Sequence, residues 1–563
     1  MKEIYYTNER NHQILISLLK AHNIRKIIAS PGMTNSVFIG SVQHDPFFEV
    51  YSCVDERSAA YMACGLSLES GEPVIISCTG ATAARNYMSG ATEAFYSKLP
   101  ILILTSSQPN RNIGQLLAQV TDRTSPPKDT CRLSLELPTC NTNDDEWYCE
   151  VQVNKALTEL RRHGGGPVHL NLITTYSYNE RTALTATELP ATRKIERVTT
   201  NDIFPILNGV ANAVFVGSHK YWSEKLTKSV EAFCEVHNAV VLCDHTSNYH
   251  GKYRVPFALA INQASLNKAN IPAYTVETLI HIGEISGEEG SPRMIKSKVT
   301  WRISEDGEIR DYFRNMTHVF EMSEQTFFEA YSDGKRIVPP YYGECISAYK
   351  KLVEVRNSQM DSMPFSNTWI AEKIAPAIPQ NSTVVLSILN TLRTWNYAEF
   401  RDSVSVYSPV GGFGIDGASS MVIGASLANP NKLYFGISGD LAFFYDLNSL
   451  GNRHIGSNLR ILLINNGVGF EFKKCYAMAY RLMGDDVDSY VAAAGHFGRK
   501  SQLLVRHFAE DLGFEYLSAS NKNEFETACK RFTTSKQTEK PMLFECFVDS
   551  DDESTALNII QNR

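Results

Sequence analysis

The chain has 563 residues, and 54 basic side chains against 61 acidic ones give it a formal net charge of −7. A slightly acidic protein without a lysine run or an arginine-rich arm is not expected to bind nucleic acid, so we start from a small-molecule function. The length is too great for one hydrophobic core and predicts roughly three or four domains.

The N-terminal residues and the cysteines bear on the cellular compartment. The first residues, MKEIYYTNERNHQ, are polar and lack the apolar stretch of a signal peptide. No segment approaches the roughly 20 consecutive apolar residues that a membrane helix needs. The 12 cysteines form no CxxC pair, which is typical of reduced thiols rather than of a metal site or a disulfide framework. We therefore predict a cytoplasmic protein that does not bind a membrane.

The first third of the chain alternates β-rich runs with helical patterns. Strands are predicted, in chain order, at RKIIAS, FFEVYSCV, PVIISCTG, LPILILTSS and GGGPVHLNLIT. Helical patterns lie between them at ERSAAYMACGLSLESG and ATAARNYMSGATEAFYSK. Apolar strands separated by helices predict a parallel sheet that is covered by helices on both faces.

The middle and the last third follow the same plan. Strand patterns are NAVFVGSH, AVVLCDH and TLIHIGEIS in the middle, then TVVLSI, LYFGIS, LRILLINN and PMLFECFV. Polar stretches near residues 185–201 and 338–357 are interpreted as irregular linkers. The predicted fold is α/β, with three doubly wound parallel-sheet domains at residues 1–184, 200–340 and 358–563. The similar plans of the first and last domains suggest a duplication.

The most informative segment joins two predicted strands of the last domain. The strand LYFGIS leads into Gly439 and Asp440, and LRILLI ends at Asn465 and Asn466. In a parallel sheet both strand ends open on one edge, where small ligands bind. A carboxylate and an amide oxygen suit magnesium or calcium, and a diphosphate would supply further ligands. The backbone N–H groups that begin the helix at Leu441 can face phosphate.

Each part of this pattern also has a simpler interpretation. Asp440 fits an ordinary helix N-cap, and Asn465 and Asn466 fit an ordinary turn. In the first third of the chain, Asp55 and Glu56 come at the start of a predicted helix. They fit ordinary acids of a first helical turn, which complement the helix dipole. The order and separation of the segments favour the functional interpretation.

Four segments resemble the thiamine-diphosphate-dependent enzymes that include acetolactate synthase and pyruvate decarboxylase. They are SPG at 30–32, DERSA at 55–59, GIDGASS at 414–420 and GDLAFFYDLNSL at 439–450. Within that superfamily, the closest resemblance is to SEPHCHEN synthase (2-succinyl-5-enolpyruvyl-6-hydroxy-3-cyclohexene-1-carboxylate synthase) of menaquinone biosynthesis. The resemblance spans nearly the whole chain but is specific only in these segments. Leu441 departs from the glycine that many members have.

The resemblance implies a cofactor and an assembly. The cofactor is thiamine diphosphate with Mg²⁺, or with Ca²⁺ or Mn²⁺ in its place. The three domains become pyrimidine-binding, central and diphosphate-binding domains, and the active sites lie between the subunits of a homodimer or homotetramer. Some relatives hold FAD in the central domain, an alternative that this sequence does not indicate but leaves open.

The resemblance also implies site residues. Glu56 is the expected catalytic residue, because in this family a glutamate binds N1′ of the aminopyrimidine and shares a proton near neutral pH. Ile415 matches the bulky residue that keeps the cofactor bent. The implied metal ligands are Asp440, Asn466 and Val468. The implied cofactor-binding residues are Pro31, Glu56, Gly80, Thr82, Asn86, Asn390, Thr391, Leu392, Gly414, Ile415, Gly439, Asp440, Leu441, Ala442, Asn466, Val468, Gly469 and Phe470.

Three departures from the SEPHCHEN synthases concern the substrate. Those enzymes have arginines where this chain has Thr34, Gln108 and, by our alignment, Val410. The arginines hold the carboxylates of isochorismate and 2-oxoglutarate, which a hydroxyl, an amide or a valine cannot do. The losses argue against the same doubly anionic substrate pair, although Arg85, Arg111 or Arg393 are left as compensating cations. Candidate substrate-pocket residues are Thr34, Gln108, Gln115, Gln119, Arg393, Glu471 and Lys473. The three glutamines, Glu471 and Lys473 fit solvated loops equally well.

The leading functional hypothesis is decarboxylation of a 2-oxo acid followed by carboligation to an acceptor, the work of a transferase or a lyase. The first alternative is a 2-oxo acid decarboxylase that does not ligate. The second, from another class, is a catalytically silent scaffold that binds the cofactor. Intact Glu56, Asp440 and Asn466 disfavour the scaffold. A nicotinamide or flavin enzyme is disfavoured because no GxGxxG follows a strand.

Overall fold

The structure is a computed structural model, and it describes residues 4–175, 180–262, 275–288, 291–474, 477–496 and 500–561. The chain divides into two compact units. The first comprises Met1–Asp202 and Gly307–Glu321, and the second comprises Ile203–Asp306 and Met322–Arg563. The three predicted domain ranges follow a different division and stay predictions. In the described ranges, no helix is both long and apolar enough to cross a bilayer.

The N-terminal elements form a parallel six-stranded sheet with the strand order β3-β2-β4-β5-β7-β6, and a short antiparallel pair, β1 and β8. The elements are β1 Tyr6–Thr7, α1 Arg10–Ala21, β2 Lys26–Ala29, α2 Ser36–Val42, β3 Glu49–Ser52, α3 Glu56–Ser70, β4 Val74–Thr79, α4 Ala83–Asn86, α5 Met88–Tyr96, β5 Ile101–Ser107, β6 Leu133–Leu137, α6 Asn143–Glu159, β7 Val168–Ile173, β8 Leu184–Ala186 and β9 Glu196–Val198.

Both faces of this sheet are apolar, and each is covered by helices. Successive strand residues point to opposite faces, so Ile75 packs with α1 and α6 whereas Ile76 packs with α3 and α5. Leu102 and Ile103 divide between the same two clusters. This arrangement confirms the predicted doubly wound α/β fold. The long helix predicted from Ala81 is interrupted at Tyr87, which separates α4 from α5.

The middle of the chain adds a parallel run of strands, β12-β11-β10-β13-β14, to the second unit. Strand β15 also comes from the middle of the chain, but it belongs to the first unit and pairs in parallel with β9. The elements are β10 Asn212–Val216, α7 Glu224–His237, β11 Ala239–Cys243, β12 Arg254–Pro256, α8 Phe257–Asn262, β13 Thr275–Ile282, β14 Lys296–Ser304, β15 Met316–Glu321, α9 Glu324–Ala330 and α10 Pro340–Gln359.

The prediction of an irregular linker at 338–357 was wrong, because α10 occupies most of it. The helix buries Tyr341, Cys345, Tyr349 and Leu352, which recur at the three- and four-residue spacing of one helix face. Polar residues between these positions make the buried stripe hard to recognise in the sequence. The other predicted linker, 185–201, contains part of the short strand β8 and all of the short strand β9.

The last part of the chain repeats the architecture of the first sheet. Its parallel strand order is β17-β16-β18-β19-β21-β20, the same succession of neighbours as in the N-terminal sheet. The elements are α11 Asn367–Ile374, β16 Thr383–Leu386, α12 Asn390–Trp395, β17 Ser405–Tyr407, α13 Ala418–Leu427, β18 Tyr434–Gly439, α14 Asp440–Tyr445, β19 Leu459–Asn465, α15 Phe470–Lys473, α16 Met478–Met483, α17 Val487–Tyr490, α18 Leu504–Asp511, β20 Glu515–Ala519, α19 Lys522–Phe532, β21 Met542–Phe547 and α20 Ser550–Ile560.

Candidate active site

A cavity of about 90 Å³ lies at the edge of the C-terminal sheet where β16, β18 and β19 end. In the sheet, β17 lies on one side of β16 and β18 lies on the other, so the strand order reverses between β16 and β18. Such switch points are where α/β sheets bind ligands. The substrate candidate Glu471 lines this cavity, as do most of the residues predicted for the diphosphate half of the site: Asn390, Thr391, Ile415, Gly439, Asp440, Leu441, Ala442, Asn466, Val468, Gly469 and Phe470.

The two predicted side-chain metal ligands follow neighbouring strands. Asp440 begins α14 directly after β18, Asn466 follows β19, and the two strands pair in parallel up to Gly439 and Ile464. Asp440 and Asn466 are both buried. The Asn466 Oδ1 accepts a hydrogen bond of 3.1 Å from the backbone N–H of Val468, which fixes the orientation of the amide. Carboxylate, amide and backbone carbonyl oxygens form the hard donor set that Mg²⁺ prefers, so these residues fit the metal.

Close backbone contacts form the floor of the cavity. Gly467 has a φ of +72°, a left-handed conformation that glycine adopts without strain. The turn brings Gly469 against Ala492, with a backbone hydrogen bond of 2.6 Å. A Cβ at Gly469 would lie 3.1 Å from both the Ala492 carbonyl oxygen and a methyl group of Leu441. Leu441, which departs from the family pattern, therefore packs closely against Gly469, where a Cβ would fit only if its neighbours shifted slightly.

Glu553 is a site residue that the sequence analysis missed. It lies on α20, is buried, and accepts a hydrogen bond of 3.3 Å from the Asn390 amide. The pKa of Glu553 is raised to about 7, chiefly by burial and also by the charge of Asp440, although hydrogen bonds from Asn466 and Asn390 work to lower it. Among the described residues, Oε1 of Glu553 and Oδ1 of Asn390 have no partner. In the sequence, Glu553 is indistinguishable from an ordinary first-turn acid.

Two charged substrate candidates, Arg393 and Glu471, pair with each other, and of the two only Glu471 lines the cavity. Glu471 receives the Arg393 guanidinium on Oε1 and the Lys474 ammonium, at 2.8 Å, on Oε2. Burial works to raise the pKa of Glu471, but the charges of Lys474 and Arg393 hold it below its ordinary value. One carboxylate between two cations leaves this group with one net positive charge. Two other predicted residues, Leu392 and Gly414, are not part of the lining, and Leu392 is wholly buried.

The predicted pyrimidine half of the site lies in the first unit, at the corresponding switch point between β2 and β4. Glu56 is the first residue of α3, where the Asp55 carboxylate caps the helix by accepting from Arg57 N. The side-chain amide of Asn86, at the end of α4, donates a hydrogen bond of 3.1 Å to Oε2 of Glu56. The structure therefore brings together two residues that the sequence places 30 positions apart.

The turns after β2 and β4 carry the remaining predicted residues Pro31, Gly80 and Thr82. The Gly80 carbonyl accepts from the Thr121 hydroxyl at 3.1 Å and from Arg123 Nη1 at 3.3 Å. A Cβ at Gly80 would lie 2.7 Å from Cβ of Ser107 and 2.9 Å from Nε of Arg123. The position therefore tolerates only glycine without rearrangement.

The substrate candidates of the first unit differ in the burial and the hydrogen bonding of their side chains. Thr34 is buried, and its hydroxyl donates to the Ser106 carbonyl at 2.7 Å. The Gln108 side chain accepts a 3.0 Å hydrogen bond from Asn112. Gln115 and Gln119 are exposed. None of these contacts supplies a cation where the related synthases have one.

Comparisons of the sequence with known proteins find a matching family profile and several relatives. A family profile described as "Thiamine pyrophosphate enzyme, N-terminal TPP binding domain" matches residues 10–125. A 2-succinyl-5-enolpyruvyl-6-hydroxy-3-cyclohexene-1-carboxylate synthase of Bacteroides fragilis is 30% identical, with 98% of each chain covered. Synthases with the same name from Phocaeicola vulgatus (29% identical, 98% of each chain) and Porphyromonas gingivalis (26% identical, 94% of this chain and 93% of the relative) are also similar.

Proposed function

Because the chain belongs to the family of thiamine-diphosphate-dependent enzymes that includes these synthases, we propose that it decarboxylates a 2-oxo acid and joins the remaining fragment to an acceptor. The observation that carries the proposal is the cavity in which Asp440 and Asn466 follow adjacent parallel strands. Oxygen donors converge there at a switch point, as a metal-bound diphosphate requires.

In this proposal the cofactor, when bound, supplies an electron sink for the carbanion that decarboxylation produces. Asp440, Asn466 and the Val468 carbonyl would hold Mg²⁺. Gly439 and the start of α14 would lie against the diphosphate, and Ile415 against the cofactor's ring system. The apolar part of the lining would exclude water, which strengthens the electrostatic contacts inside.

Glu56 would hold a proton at the aminopyrimidine nitrogen N1′. A carboxylate that accepts and returns a proton suits general acid–base work. Asn86 restricts Glu56 by binding one of its oxygens, so that the other is presented in a fixed direction. The pair thus supports an acid–base role better than a capping role, because Asp55 already caps the helix.

We expect a homodimer or a homotetramer in which Glu56 of one protomer faces the Asp440 site of its partner. Exposed apolar side chains on α3 and α5 support this expectation: Tyr61, Met62, Leu68 and Tyr96. In the second unit, Met421 and Leu427 of α13 are exposed as well. Apolar faces of this kind are typical of subunit interfaces.

A cytoplasmic location is supported by cysteines that are all free within the described ranges.

The substrate is expected to differ from that of the related synthases. Val410 is buried and the Thr34 hydroxyl is already bonded to the backbone. Neither replaces an arginine that grips a carboxylate. Arg393, a candidate for the missing cation, is already paired with Glu471. We therefore propose a donor with one carboxylate, such as a simple 2-oxo acid, and an acceptor with fewer negative charges than isochorismate.

Product analysis tests the proposal. The purified protein with thiamine diphosphate and Mg²⁺ would be incubated with a library of 2-oxo acids and carbonyl acceptors, and the products identified by mass spectrometry. Ligated products that are absent with Glu56→Gln support the proposal. Carbon dioxide and a free aldehyde with every acceptor would instead establish the non-ligating decarboxylase. Cofactor binding without turnover of any 2-oxo acid would favour the silent scaffold.

A further inference from the structure

Two cysteines of the first unit are in contact, away from the residues of the candidate active site. Cys140 lies in the loop between β6 and α6, and Cys149 lies within α6. Their sulfur atoms are 3.6 Å apart, whereas a disulfide holds its sulfurs at about 2.05 Å. Both thiols are therefore reduced in this structure. The two residues are nine positions apart in the chain, so they do not have the CxxC spacing by which redox pairs are recognised in a sequence.

The two thiols are oriented by a short chain of hydrogen bonds. Cys140 donates to the sulfur of Cys149, and Cys149 donates in turn to the Pro138 carbonyl at 3.5 Å. Because each thiol has one proton to donate, the proton of Cys149 points away from Cys140, and a lone pair of its sulfur points toward Cys140. A bond between the two sulfurs would form on this side.

The segment between the two cysteines is fixed by its own hydrogen bonds. The Thr142 hydroxyl caps α6 by accepting from Asp145 N at 3.2 Å, and the Asp145 carboxylate accepts from the backbone of Asn141 and Thr142 at 2.9 and 3.0 Å. The fold therefore holds the two sulfurs side by side. A disulfide needs them to approach by about 1.5 Å, and Cys140, which lies outside the helix and the strand, can make this movement.

The two cysteines differ in how well solvent reaches them. Cys140 is partly exposed, whereas Cys149 is wholly buried in the apolar core between the sheet and its helices. The hydrogen bond with Cys140 and burial also raise the pKa of Cys149, which keeps this thiol protonated near neutral pH. Since the thiolate is the attacking form of a cysteine, a reagent from solution is expected to react first at Cys140.

We propose that Cys140 and Cys149 are a redox-active pair, which a small disulfide such as oxidised glutathione converts to an intramolecular disulfide. Cys140 releases its proton to solvent, and its sulfur attacks one sulfur of the small disulfide, whose S–S bond breaks so that one thiol leaves. The Cys149 sulfur, after releasing its own proton, then displaces the second thiol from Cys140. The protein loses two electrons and two protons, and the small disulfide becomes two thiols.

The hydrogen bond between the two thiols is lost in the first of these steps, so the main cause that keeps Cys149 protonated is removed before Cys149 has to react. In a reducing compartment a disulfide of this kind forms only transiently, as in redox-sensing proteins. The chemistry of the pair is independent of the reaction proposed above, because neither cysteine touches the residues assigned to the cofactor.

The test is mass spectrometry of the full-length protein, reduced, freed of reductant and then exposed to oxidised glutathione. Free thiols are blocked with N-ethylmaleimide in denaturant, and the protein is digested with trypsin, which places both cysteines on one peptide, residues 133–155. We expect this peptide to be two hydrogens lighter than its reduced form and to carry no label, and dithiothreitol to reverse the change. Labelling of both cysteines, or a glutathione adduct that persists on Cys140, would overturn the proposal.

Variants separate the two steps. In Cys149→Ala the reaction should stop after the first exchange, so that Cys140 keeps one glutathione, and in folded Cys140→Ser the buried Cys149 should stay unmodified. Cys529→Ser is the matched control, because Cys529 is also partly exposed but lies on α19, and this variant should form the disulfide as the wild type does. If Cys149→Ala does not fold, Cys149→Ser, which keeps the size of the side chain, replaces it. An unmodified Cys140 in the folded Cys149 variant would contradict the pair.

Discussion

The side-chain amide of Asn86 holds the carboxylate of Glu56 through a hydrogen bond of 3.1 Å to Oε2. The two residues lie on different helices that follow different strands, β3 and β4, of one parallel sheet. Asp55, the neighbour of Glu56, already provides the cap of α3 through its own carboxylate. Glu56 is therefore not needed as a helix cap, and its hydrogen bond to Asn86 indicates a different role.

Replacement of Glu56 by Gln should reduce turnover by about 100-fold or more, because an amide cannot exchange a proton with the aminopyrimidine near neutral pH. The neighbouring Asp55→Asn is a matched control that changes the helix cap and leaves the proton-bearing group intact. It should lower the unfolding temperature slightly and keep most of the turnover. Steady-state rates and unfolding temperatures of both variants provide the measurement. Equal losses of turnover in the two variants would show that Glu56 acts through folding alone.

Replacement of Asp440 by Asn should weaken Mg²⁺ binding in the presence of thiamine diphosphate by about 100-fold or more, since the charged member of the donor set is lost. Titration calorimetry, or electron paramagnetic resonance with Mn²⁺, measures this affinity directly. Asp361→Asn serves as the control, because Asp361 is an exposed acid of the same unit. Metal affinity that is the same in both variants would rule out Asp440 as a ligand.

The fold was predictable where strands are buried on both faces. Strands such as β4 (VIISCT) and β19 (LRILLIN) are short and largely apolar, as expected for a parallel sheet that is covered on both sides. The helix α10 was not predictable in this way, because its buried positions are separated by charged residues and include tyrosines. Periodicity shows an element only when the apolar stripe dominates its composition.

The candidate site was predictable only where residues are close to strand ends in the sequence. Asp440 and Asn466 follow strands directly, so topology alone brings them together. Glu553 and Arg123 lie on a distant helix and in a long connecting segment. Their proximity to the sites depends on tertiary packing, and no local pattern records it. Burial of a charged group is the signal that identifies them, and burial requires a structure.

Glu553 should make the second unit less stable as the pH rises in the metal-free protein. Its pKa is raised from 4.5 to about 7 by burial, so between these values the folded state holds a proton that the unfolded state has released. The stabilisation that comes from this proton is fully present below pH 4.5 and is lost as the pH rises through 7. The free energy of unfolding falls by about 3 kcal/mol over this range. Urea unfolding at pH 5 and pH 8 measures it. Glu553→Gln should remove the difference, and an unchanged difference in that variant would place its origin elsewhere.

His169 should have the opposite effect on the first unit. Burial lowers its pKa from 6.5 to about 4, so between these values the unfolded state takes up a proton that the folded state refuses. The stability from the neutral ring is therefore present above pH 6.5 and falls as the pH decreases toward 4, by about 3 kcal/mol. Hydrogen exchange of β5 and β7 amides at pH 4.5 and pH 7, corrected for intrinsic rates, follows this unit specifically. His169→Gln keeps a side chain that can bond to Thr105 or Ser134 but does not titrate, so its protection should change little between the two pH values. A variant that loses protection as steeply as the wild type would assign the acid sensitivity to another group, such as His12, whose pKa burial also lowers to about 4.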